Sequence, residues 1–112
     1  LAVNGDFLQV VDSLLSQINT SSDTHKKLQL QRSAARKIVR ATNILRKEGE
    51  KDWPDTLDEY SSRFNARYPG FSEEMDYLIE LCHQPSGSVA VFEKRLMAFA
   101  RWLDVESHHY KA

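Results

Sequence analysis

Apolar residues recur along this chain at three- and four-residue intervals, in five stretches separated by glycine, proline and short polar runs. That period belongs to helices burying one face. The first predicted helix runs from Asp6 to Ile18, with Phe7, Val11, Leu14 and Ile18 as its stripe and Leu8 and Leu15 widening it. Asp6 is its candidate N-cap. A polar loop through Asp23 comes next, with Ser22 or Asp23 placed to cap a long second helix from Thr24 to Glu48. Leu28, Ala35, Ile38, Thr42 and Leu45 form that helix's inner face; Arg32, Arg36, Arg40, Asn43 and Lys47 form the outer one, and Gly49 supplies the stop.

Trp53-Pro54 connects to a third helix, Thr56 to Arg67, with Leu57, Tyr60, Phe64 and Tyr68 inward and Pro69-Gly70 as terminator. A fourth begins at Ser72, read as its cap, with Glu73 and Glu74 near the positive end of the helix dipole. Its inward residues are Met75, Leu78, Ile79 and Cys82, and Pro85-Ser86-Gly87-Ser88 breaks the chain after it. The fifth helix, Val89 to Ser107, carries two apolar sets. Val89, Phe92, Leu96, Phe99 and Leu103 make one side; Val91, Ala98, Trp102 and Val105 project roughly opposite. A helix apolar on two sides is central in its bundle or is covered by a partner. No strand pattern competes, and the expected fold is an all-α, antiparallel five-helix bundle joined by short turns.

The 112 residues suffice for one domain with a real core. With 41% hydrophobic and 28% charged residues the composition is that of a globular chain, and the net charge of -1 provides no global field for nucleic acid. The lone cysteine, Cys82, excludes an internal disulfide and fits a cytoplasmic location. No apolar run approaches the ~20 residues of a membrane span, and no charged leader precedes an apolar stretch. The first residue is Leu1 rather than Met, as expected of a domain excised from or paired with a larger protein.

Candidate chemistry is sparse. Arg32, Arg36, Arg40 and Lys47 form a basic stripe that is either a solvated helix face or a surface for an anion or acidic partner. Asp55, Asp58 and Glu59, then Glu73, Glu74, Asp76 and Glu80, either favour helix N-termini or offer carboxylates to a cation. Among His25, His83, His108 and His109 no two stand at i, i+4, and no metal site is expected. No phosphate loop and no nucleophile beside a base appears, so no catalytic centre is expected within this chain. Six residues separate Arg101 from His108, a spacing similar to the Arg–His pair of HEPN-type ribonucleases, although Trp102 follows the arginine where that family usually has a polar residue.

A wider likeness is carried by Arg36-Lys37-Ile38-Val39-Arg40-Ala41, by Trp53 to Leu57, by Phe64-Asn65-Ala66-Arg67-Tyr68-Pro69, by Glu74-Met75 and by Trp102-Leu103. In this order, from Arg32 to Glu106, the chain resembles the C-terminal helical domain of two-domain bacterial nucleotidyltransferases, the group that includes the aminoglycoside-modifying enzymes. The family's signature, a Gly-Ser turn followed by Asp-x-Asp metal carboxylates, lies in its N-terminal domain and is absent from this sequence. No catalytic residue carries over. The resemblance implies a substrate-binding domain beside a catalytic one that uses Mg²⁺ and a nucleoside triphosphate. Asp55, Asp58 and Glu59 would then receive a cationic small-molecule acceptor. Arg36 and Arg40 would meet nucleotide phosphates or the partner domain, and Val91, Ala98, Trp102 and Val105 would form the partner interface. The alternatives are a free-standing interaction module of adaptor or antitoxin type, and a HEPN-type ribonuclease. Neither a membrane nor, outside that last case, a nucleic acid is an expected partner.

Overall fold

The computed structural model describes residues 7–45, 56–85 and 89–111, without the side chains of residues 44 and 109–111. The described residues form an all-α bundle of five helices: α1 (Phe7–Thr20), α2 (Thr24–Ala41), α3 (Leu57–Arg67), α4 (Ser72–His83) and α5 (Val89–Lys111). Short 3₁₀ turns at Thr42–Leu45 and Pro69–Phe71 adjoin α2 and α4. No strand occurs among the described residues. The predicted Asp6 cap, Lys47, Gly49 and the Trp53-Pro54 connector lie outside them.

α2 occupies the middle, with α1, α3, α4 and α5 all packed against it. Its buried face is rich in small residues, Ala34, Ala35 and Ala41, alongside Ile38 and Val39. Alanine at a helix crossing lets the axes approach closely, and the larger side chains of the neighbours fill the space. Those neighbours are Phe7, Val11 and Ile18 of α1, Met75 and Leu78 of α4, and Phe92, Leu96 and Leu103 of α5, all in one continuous core.

The caps explain where the helices start. Asp23 holds an extended backbone, and its Oδ1 accepts from the N–H groups of His25 (3.0 Å) and Lys26 (3.5 Å). Thr56 Oγ1 accepts from Glu59 N–H at 3.2 Å and starts α3. Each such cap contributes about 1 kcal/mol.

Two expectations are corrected by local geometry. The second helix does not continue as α-helix to Glu48: α2 stops at Ala41 and tightens into the 3₁₀ turn. Thr42 Oγ1 donates to the Val39 carbonyl at 2.6 Å, a back-bond that favours tightening. Moving from ~100° to ~120° per residue turns the later side chains about the axis, and Asn43, expected on the polar face, is only 6% exposed. Ser72 is not a cap either. It is already helical (φ -62°, ψ -33°), because the Pro69–Phe71 turn leads straight into α4. Phe71 stands at the cap position with no side-chain hydrogen bond to the helix.

Proline rather than glycine ends α3. Tyr68, which precedes Pro69, leaves the helical region (φ -130°, ψ 64°), as a residue before proline must. Gly70 is outside the left-handed region, and a Cβ there would meet nothing within 4 Å. Gly70→Ala should therefore be neutral or stabilise by about 0.4–1 kcal/mol. Leu96→Ala, in the fully buried centre, should cost about 2–5 kcal/mol. Urea unfolding of the two variants measures both.

Candidate functional site

Two arginines close helix ends. Arg32 Nη2 donates to the His83 carbonyl at 3.1 Å, satisfying the C-terminal turn of α4 across 51 residues of sequence. Arg67 Nη1 donates to the Leu45 carbonyl at 2.8 Å, at the end of the first 3₁₀ turn. Both supply a positive charge where carbonyls are left over. The basic stripe is thus divided. Arg32 serves the fold, while Arg36 and Arg40 are exposed on the same face of α2, with no hydrogen bond or ion pair among the described residues.

Beneath that stripe lies Cys82, buried at 5% exposure. Burial pushes its thiol up to about 11, against the opposing pull of Arg36, Arg32 and Arg40. At neutral pH it is a protonated, unreactive packing group.

Of the predicted acidic trio, Asp58 and Glu59 are exposed in the first turn of α3, and Asp55 lies outside the described residues. Glu73, Asp76 and Glu80 are exposed on α4. Glu80 and His83 have the i, i+3 step of a helical metal pair, yet no group of three or more His, Cys, Asp or Glu is placed to hold a metal among the described residues. None of them is assigned to Mg²⁺.

The most structured surface joins the start of α4 to the middle of α5. Five rings from α3, the Pro69–Phe71 turn and α5 assemble there. Phe71 stacks on Trp102 at 4.3 Å between centroids, while Phe64 and Tyr68 meet the indole edge-on at 5.8 and 5.1 Å, and Phe99 closes the cluster. Edge-to-face and offset stacking add about 0.5–1.5 kcal/mol per pair beyond burial. Tyr68 Oη donates to Glu106 Oε2 at 2.9 Å. Nearby, Arg95 bonds Glu74 Oε1 at 2.8 Å and lies 3.7 Å above the Tyr77 ring. The Glu74 bond raises the Arg95 pKa, and burial raises that of Tyr77. Between these groups runs an open groove of about 280 Å³, lined by Phe71, Phe99, Trp102 and Ala98 and rimmed by Glu74, Lys94 and Arg95.

Trp102 is accordingly half-buried, its indole engaged by its own fold. The other three residues of the predicted interface stand outward: Val91 is 51% and Val105 57% exposed, and Ala98 is exposed between them. On the same outward side lie Arg101 and His108. The His108 ring is 77% exposed, with Nδ1 2.7 Å from the Asp104 carbonyl; that contact makes Nδ1 the donor in the neutral ring. The groove and the two arginine caps had no signature in the sequence. Arg and aromatic residues were visible, but partners 21 to 51 residues away were not.

No helix among the described residues is long and apolar enough to cross a membrane. Comparison with protein-family models, with curated proteins and with solved structures finds no match to this chain.

The raised Cys82 pKa couples stability to pH. Its folded value of about 11 exceeds the ordinary 9.0, so the unfolded chain ionises first as pH rises. The contribution is complete below about pH 9 and is lost on the way to about pH 11, with roughly 2–3 kcal/mol at stake. The difference in unfolding free energy between the parent chain and Cys82→Ala, measured from pH 7 to 11, should shrink by that amount.

Proposed function

We propose that this chain is the helical, substrate-binding domain of a nucleotidyltransferase, acting beside a catalytic domain that holds the nucleoside triphosphate and Mg²⁺. One observation carries the need for a second unit. α5 closes the core with one side, Phe92, Leu96, Phe99 and Leu103, and turns a second apolar row, Val91, Ala98 and Val105, to solvent. A domain packed against another would bury such a row. The kind of unit comes from the likeness between Arg32 and Glu106.

In this reading the domain binds the acceptor rather than performing the chemistry. Asp58 and Glu59, with Asp55 just before them, provide carboxylates for a cationic acceptor. Arg36 and Arg40 provide guanidinium groups for nucleotide phosphates or for the partner domain. All four described side chains are exposed, and exposed charges are strongly screened by water. They gain strength only when a second surface closes over them and excludes solvent. The metal supplies charge neutralisation at the transferring phosphoryl group when it is bound by the catalytic domain.

The test uses the protein encoded by the full reading frame, supplied with Mg²⁺, α-labelled nucleoside triphosphates and a panel of cationic hydroxyl acceptors. Label transfer to an acceptor is expected. Asp58→Lys with Glu59→Lys should raise the acceptor KM at least tenfold with kcat little changed, and Arg36→Glu with Arg40→Glu should raise the KM for the nucleotide. A reading frame without the Gly-Ser and Asp-x-Asp signature, together with no transfer, rejects the proposal. Transfer insensitive to both pairs of reversals discards the site residues.

A further inference from the structure

The outward side of α5 carries two parallel rows. Val91, Ala98 and Val105 recur every seven residues, and so do Lys94, Arg101 and His108. Seven residues are two helical turns, about 10.5 Å, so the rows run side by side along the helix. All six residues are exposed. Lys94 and Arg101 have no hydrogen bond or ion pair among the described residues. Beyond the apolar row on the other flank, the charges are already used: Arg95 is held by Glu74, and Glu106 by Tyr68.

An exposed line of apolar residues two turns apart is a strip along which another helix can lie. On that flank Asp104 faces the His108 ring at 3.8 Å, which leaves Lys94 and Arg101 as the cations beside the strip, so the complementary partner brings carboxylates to them. Ala98, the smallest residue of the row, sits between two valines and leaves room for a large apolar side chain. The groove over Phe71, Phe99 and Trp102 opens beside it. We propose that α5 is the docking surface for an amphipathic helix of a partner domain or protein, with acidic residues along its Lys94–Arg101 flank and one large apolar residue anchored in the groove at Ala98. The inference rests on the reading that this chain works beside a second unit, and adds that unit's chemistry. A second copy of this chain fits less well, because an antiparallel pairing of two α5 helices sets the Lys94–Arg101 flank against itself. RNA would use the cations but leave the valines exposed to water.

Two synthetic helical peptides test it on the folded chain. Both carry the same seven-residue apolar repeat and a central Leu; one has Glu and the other Lys on the flanking positions. Binding is monitored by titration calorimetry and by amide shifts along α5. The Glu peptide should bind at α5, weaken as salt rises, and outbind the Lys peptide about tenfold. Lys94→Glu with Arg101→Glu, checked for folding by circular dichroism, should exchange the preference. Ala98→Trp, which fills the seam, should abolish binding of both. Equal affinities, no binding, or shifts confined to other helices overturn the inference. So does dimerisation through α5 at micromolar concentration, or a single-stranded RNA that displaces the Glu peptide. The peptides report nothing on nucleotidyl transfer. A bound Glu peptide with no transfer by the intact protein therefore leaves the docking surface standing and removes only the enzymatic reading.

Discussion

Close contact along the alanine-rich face of α2 organises everything else. Ala34, Ala35 and Ala41 are fully buried there, so the packed neighbours pass near its backbone. Ile38 and Val39 supply the central helix's own bulk, and around the alanines the core is filled by phenylalanine, leucine and methionine of α1, α4 and α5. A larger residue at these alanines would push the surrounding helices outward and forfeit contacts along their whole length.

Helix ends add a second layer. The chain uses side chains from distant elements to satisfy carbonyls that α4 and the first 3₁₀ turn leave open, through Arg32 and Arg67. These bonds tie α2 to α4 and α3 to the end of α2. They are modest singly, but each joins segments that helical hydrogen bonding alone would leave independent. The same economy explains why α4 does without an N-cap. The 3₁₀ turn before it supplies a carbonyl instead: the Ser72 N–H donates to the Pro69 carbonyl as the turn runs into the helix.

The surface left after the core is complete is divided among several helices. α5 supplies the inner wall of the bundle with one face and an apolar row bordered by cations with the other. Arg36 and Arg40 on α2 and the carboxylates at the start of α3 are separate exposed groups on other helices. Charged groups arranged in this way on an open surface bind weakly in water and become selective when a second body encloses them.

Helix number and type were legible from periodicity, and so was much of the core, although Ala34, Val39, Ala41 and Leu81 join it unforeseen and Leu28 is only partly buried. Phe7, Val11, Ile18, Ala35, Ile38, Phe64, Met75, Leu78, Phe92, Leu96 and Leu103 are buried as their spacing requires, and the outward position of Val91 and Val105 comes from their offset to that face. The cap of α2 was narrowed to Ser22 or Asp23, and the structure selects Asp23; Thr56, read only as the first residue of the third helix, proves to be its cap, although both caps bond partners within three residues. The tightening at Thr42, the burial of Asn43, the structural use of Arg32 and the groove beside Trp102 were decided only in three dimensions. Each depends on contacts or on a change of helical pitch that spacing in a linear chain does not encode. One-dimensional order determines which face of each helix is oily; only the packed bundle determines which polar groups are consumed in holding it together and which stay exposed, because those contacts join residues far apart in sequence.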